Sequence, residues 1–136
     1  MQAKDGVPGR ATQSEESREA AVAAARSASA KQAEGVAILD VHGLIVITDF
    51  FVIASGETDR QVRTIVEEVE KTLRDLGRKP VRREGETEGR WVLLDYVDVV
   101  VHVFADEERE YYDLERLWRD APRVEWNENG AARSSG

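Results

Sequence analysis

The chain of 136 residues contains no cysteine, three prolines, one methionine and two histidines. Without cysteine, disulfides and thiolate metal sites are excluded. His42 and His102 alone cannot complete a zinc shell, so neither a metal nor a cofactor is expected. No apolar run approaches the ~20 residues of a membrane span, and no charged-then-apolar leader opens the chain. A cytoplasmic protein without membrane contact is the expectation. Basic charge is also in deficit, nineteen Lys and Arg against twenty-seven Asp and Glu, a net charge of -8. Direct binding of nucleic acid through phosphate neutralisation is disfavoured, and a basic protein partner suits this charge better. Neither a GxxxxGK phosphate loop nor a GxSxG nucleophile elbow occurs.

With 41% hydrophobic and 34% charged residues, the chain fits one globular domain of modest core. Met1–Ala11 and Asn127–Gly136 lack periodicity and read as disordered tails around a single domain over 12–126. The stretch Thr12 to Ala33, rich in Ala, Glu and Arg, predicts a helix with a Thr12/Glu15 capping box, a small-residue face at Ala20, Ala24 and Ala28, and a stop at Gly35. VAILDV (36–41) and LIVITDFFVIAS (44–55) predict two strands, the second bent near Thr48–Asp49. Thr58 and Gln61 form another capping box. Behind them Val62, Ile65, Val66, Val69, Leu73 and Leu76 make one apolar stripe, closed by Gly77 and Pro80.

PVRREG (80–85) reads as a short charged edge strand and Glu86–Gly89 as a turn. WVLLDY (91–96) and VVVHVFA (99–105), joined by Val97–Asp98, predict an antiparallel hairpin. Asp106 would cap a last helix running to about Arg119, with Tyr111, Leu114, Leu117 and Trp118 on one face. The order α-β-β-α-β-β-β-α gives an α/β fold, a mixed sheet of about five strands covered by helices.

Pairing Tyr96 with Val99 puts Val92, Leu94, Tyr96, Val99, Val101 and Val103 on one face of the hairpin, the natural floor for helices. Trp91, Leu93, Asp95, Val100, His102 and Phe104 take the other, a candidate recognition surface. The alternative is structural: Trp91 as core and Asp95 with His102 as a satisfied diagonal pair. Residue patterns alone favour this alternative.

ITDFFVIASG (47–56), RQV (60–62), RREG (82–85), RWVLLDY (90–96), DVVVHV (98–103) and YDLERLW (112–118) resemble, in order and spacing, the ribosomal silencing factor family, also called RsfS or Iojap. The resemblance covers about Lys31 to Trp118. It implies a homodimeric α/β protein that binds ribosomal protein L-fourteen of the large subunit and hinders joining of the small subunit. Carried over by position, it places Trp91 and Asp95 at the partner contact, with Leu93, His102 and Phe104 as neighbours on the same face. Many members have Gly where this chain has Val97. A β-branched residue tolerates positive φ poorly, so the turn type stays open, and a slip of one residue would move Asp95 to the opposite face.

The family fold is similar to that of nucleotidyltransferases, which need a Gly-Ser loop for triphosphate and closely spaced carboxylates for Mg²⁺. Here Ser55–Gly56 is in the reverse order, and Asp95 and Asp98 fall on opposite faces of an extended chain. No catalytic set is expected. A nucleotidyltransferase-like enzyme and a dimeric adaptor with another protein partner are the competing readings.

Overall fold

The computed structural model describes residues 6–127, with side chains from residue 15 onward. The elements are α1 (Gly6–Ala30), β1 (Glu34–Asp40), β2 (Phe50–Gly56), α2 (Asp59–Asp75), β3 (Arg82–Glu84), β4 (Trp91–Asp95), β5 (Val99–Ala105), α3 (Asp106–Tyr112) and α4 (Leu114–Leu117). One five-stranded sheet runs in the order β1-β2-β5-β4-β3. β2 and β5 are parallel, and the other neighbours are antiparallel. The expected mixed sheet is therefore present, with the charged β3 at its edge.

Helix α1 starts six residues before the predicted Thr12 cap, so the expected tail over 1–11 is helical from Gly6. Pro8 sits in the first turn, where a missing N–H has no helical partner to lose. Residues 1–5 and 128–136 of the two expected tails lie outside the described residues. The helix stops at Ala30 rather than Gly35, with Gln32 taking a φ of 67°. Gly35, at φ 57°, instead sits in the bulge of β1 opposite β2. Ala20, Ala21, Ala24, Ala25 and Ala28 are all fully buried. Such small side chains bury little area each, but let the helix backbone approach the sheet closely.

The α2 capping box forms: the Thr58 hydroxyl accepts from the Gln61 N–H at 3.0 Å, and the Gln61 amide oxygen accepts from the Glu57 N–H at 2.7 Å. Val62, Ile65, Val66, Val69 and Leu73 are buried as the stripe predicts, whereas Leu76 is 51% exposed. By Leu76 the helix has ended; Gly77 donates to Arg74 and Arg78 to Leu73, a Schellman closure that turns Leu76 off the sheet.

The predicted 44–55 strand is the largest difference, because only Phe50–Gly56 pairs. Leu44–Asp49 form a loop closed by Val41 donating to the Asp49 carbonyl, and by Leu44 and Ile45 donating to Val41. The final helix is also broken. Asp113 has a φ of 44° and separates α3 from α4, its carboxylate accepting from the Arg116 N–H. Asp106 is the first helical residue, and Ala105 occupies the cap position without a side-chain bond. The face expected for this helix is split: Tyr111 and Leu117 are exposed, while Leu114 and Trp118 pack inward.

Two apolar cores result, one on each side of the sheet. α1 and α2 cover Ile38, Phe50, Val52, Ala54, Val92, Leu94, Tyr96, Val99, Val101 and Val103. On the other side Leu39, Val41, Ile53, Phe104 and Ala121 are buried together, with Ile45, Phe51, Trp91, Leu114 and Trp118 packed against them. The chain after α4 also seals the β1 edge. Asp40 donates to the Pro122 carbonyl at 2.8 Å and Val124 to the Ile38 carbonyl at 3.0 Å.

Candidate functional site

The β4–β5 hairpin has the predicted register: Trp91 opposite Phe104, Leu93 opposite His102 and Asp95 opposite Val100. Val97 does take positive φ, at 78°, yet the register holds. Tyr96 donates to the Val99 carbonyl at 2.9 Å, and the Asp95 carboxylate accepts the Val97 N–H at 2.8 Å, which pins the turn. The start of β4 is fixed by Gly85. A Cβ there would lie 1.9 Å from the Trp91 carbonyl oxygen, so only glycine admits the chain's return against β4.

Trp91 is half-buried on the outer face. Its ring centroid lies 4.9 Å from Phe104 and 4.5 Å from Tyr112, and its indole N–H donates to His102 Nδ1 at 3.1 Å. Leu93, Asp95 and Val100 are also partly exposed, so four side chains of the predicted face reach the surface. His102 and Phe104 do not. Phe104 is fully buried and His102 is 6% exposed, because Leu114, Trp118 and Ala121 return over that end of the sheet. The expectation that these two contact a partner directly is corrected on that ground. Burial pushes the His102 imidazole down to about 4, so it is neutral at physiological pH.

The diagonal Asp95–His102 pair does not form. Asp95 pairs instead with Arg82 of the neighbouring edge strand at 3.1 Å, and Arg82 also meets Glu84 at 3.0 Å. A partner cation approaching Asp95 must compete with that guanidinium. Asp98 belongs to the opposite side of the molecule, where both its oxygens meet Arg78 at 2.8 and 2.9 Å and the Ser17 hydroxyl of α1 donates to it. Burial alone would raise the Asp98 carboxyl, but the hydrogen bonds from Arg78 and Ser17 outweigh it and hold the group below its usual value. The two carboxylates that a nucleotidyl-transfer reading would join are engaged with different arginines. Among the described residues, no three His, Asp or Glu side chains gather as a metal site, and no helix is long and apolar enough to cross a membrane.

Sequence reasoning missed Tyr112, which lies against Trp91, and Phe51, whose ring meets His102 and Trp118 edge-on, at 87° and 75°. It also missed the 44–49 loop, on which Leu44, Val46 and Ile47 are exposed. Gly43 and Thr48–Asp49, residues that favour turns, were the available signal for that loop. The β-branched run between them masked it.

Comparison with known proteins agrees with the architecture. The family model described as "Ribosomal silencing factor during starvation" matches residues 14–135. Ribosomal silencing factor RsfS of Halalkalibacterium halodurans is 48% identical over 95 residues, covering 70% of this chain and 81% of that protein. The protein of the same name from Bacillus subtilis is 44% identical over 99 residues, covering 73% and 84%. A crystal structure of a Chromobacterium violaceum protein superposes with a TM-score of 0.72 at 34% identity, over 74% of this chain and 84% of that one. A sheet of this topology, its hairpin face and a match over most of the chain together place this protein in the ribosomal silencing factor family.

Proposed function

We propose that the chain represses translation by binding ribosomal protein L-fourteen through the outer face of the β4–β5 hairpin, so keeping the small subunit from the large one. The observation that carries this reading is Trp91: a large aromatic, partly exposed, hydrogen-bonded to His102 and on the same face as the partly exposed Leu93 and Val100. Rigid aromatics in that setting are the usual anchors of protein interfaces. The net charge of -8 favours a basic protein over rRNA phosphate. Asp95 contributes by fixing the turn and Arg82, and a basic partner group meets it by displacing that arginine.

Inhibition on this reading is steric and needs no chemistry. A compact chain of this length has a radius of gyration of about 14 Å, so a copy bound on the joining face would stand between the subunits. The protein acts in the cytoplasm, and the homodimer implied by the family resemblance is its expected state there. Sedimentation of purified subunits with increasing protein tests the mechanism. Joined ribosomes should decline as one equivalent is approached and recover with Trp91→Ala. Binding that needs rRNA and is absent with isolated L-fourteen protein would refute the interface. Inhibition far below one equivalent, with nucleotide turnover, would refute the steric account and favour an enzyme.

A further inference from the structure

The Trp91 side chain has one hydrogen-bonding group, an indole N–H that can only donate. Its acceptor is His102 Nδ1. A ring nitrogen that accepts carries no proton, so the proton of the neutral imidazole sits on Nε2. That atom is buried and has no hydrogen-bond partner among the described residues. The burial of an imidazole here is therefore poorly explained by stability, since an aliphatic side chain would fill the space without leaving an unpaired N–H. Among the described residues, the one polar interaction of the His102 side chain is with Trp91.

The imidazole is also held from turning. Phe51 stands across it at 87° with centroids 5.1 Å apart, and Phe104 lies nearly parallel at 11° and 6.1 Å. Phe51 is in turn braced by Trp118 at 5.6 Å. Nδ1 is thus a fixed acceptor point under the sheet surface. The indole above it must keep one plane to satisfy its N–H, and the residue is still partly exposed. Without that acceptor the N–H would turn toward water, and binding would have to order the ring anew.

We propose that His102 is a positioning residue for partner binding, a buried acceptor that holds the Trp91 indole in its binding orientation before the partner arrives. The inference rests on the reading of Trp91 as the partner's anchor. It accounts for a histidine lying on the expected recognition face, yet out of reach of any partner. His102 acts through the indole rather than by contact.

The test uses the full-length ¹⁵N-labelled chain, whose three tryptophans give three indole N–H resonances. The Trp91 resonance is the one lost in Trp91→Phe. His102→Asn keeps an acceptor near the Nδ1 position. His102→Leu removes it, and His102→Gln keeps polarity but sets its carbonyl one bond further out. In the Leu and Gln variants the Trp91 resonance should move to the position of a solvent-exposed indole, and affinity for purified large ribosomal subunits should fall by about three- to ten-fold. His102→Asn should restore both. The Gln variant keeps the comparison available if the Leu variant folds poorly. A purely structural role would instead make affinity follow melting temperature, with Asn no better than Gln, and that result would overturn the proposal. An unshifted indole resonance in both Leu and Gln variants would overturn it as well. Wild-type affinity in Trp91→Ala would remove the anchor itself, a failure separate from any result at position 102.

Discussion

Acidification should destabilise this protein through one buried histidine, and the size of the effect follows from its surroundings. Burial pushes the His102 imidazole from 6.5 to about 4, with no charged group contributing. The unfolded chain takes up a proton near 6.5 while the folded chain resists until about 4. Between those values the unfolded state binds more protons, so stability falls as pH falls through this window and levels off below it. A displacement of that extent corresponds to about 3 kcal/mol, or roughly 10 °C in melting temperature for a domain of this size. His42 works in the opposite sense. A hydrogen bond and the charge of Asp40, 2.6 Å away, raise it, so its contribution is present in full below 6.5 and is lost as pH rises through the raised value. The assay is thermal or urea unfolding from pH 7 to pH 4 for the wild type and His102→Asn, each also carrying His42→Gln. Carboxylate effects common to both chains cancel in the difference. The wild-type curve should drop by about 3 kcal/mol relative to the variant. Parallel curves, or a His102 ring signal that titrates near 6.5, would refute the argument.

The remaining predictions concern single side chains. Val97→Gly should stabilise by about 1 kcal/mol in chemical unfolding, because the exposed valine gives up strain at φ 78° and loses little packing; no gain would mean that the turn is unstrained. Trp91→Ala should lower subunit affinity by ten-fold or more and, contrary to a purely open-face reading, also cost about 2 kcal/mol of stability, since the ring packs on Phe104 and Tyr112. Unchanged melting would show that those contacts carry no weight. Asp98→Ala should cost about 2 kcal/mol by leaving Arg78 and Ser17 of α1 without their shared acceptor, and α1 amides should then lose protection in hydrogen exchange ahead of the sheet. In the wild type the Asp98 contribution is present above the usual carboxyl range and disappears as pH falls through the depressed value.

The parts of this protein legible in its sequence are those in which neighbours along the chain decide the outcome. The α2 stripe as far as Leu73, its cap, the Gly77 stop, the charged edge strand and the hairpin register all follow from local periodicity and turn chemistry, and the structure reproduces them. The two-residue period alone assigned Trp91, Leu93 and Asp95 to one face and Leu94 and Tyr96 to the other. It could not say what would cover that face. Residues 114–121 return across the sheet and bury Phe104 and His102, and the partners they meet are far away in sequence. The same holds for Asp95, which meets Arg82 of another strand, and for the 44–49 loop, whose β-branched composition suits a strand but which finds no strand to pair with. Periodicity reports which way a side chain points, because that depends on the backbone of its own element. Whether it meets solvent, a second core or an ion partner depends on long-range packing, which only the tertiary structure decides.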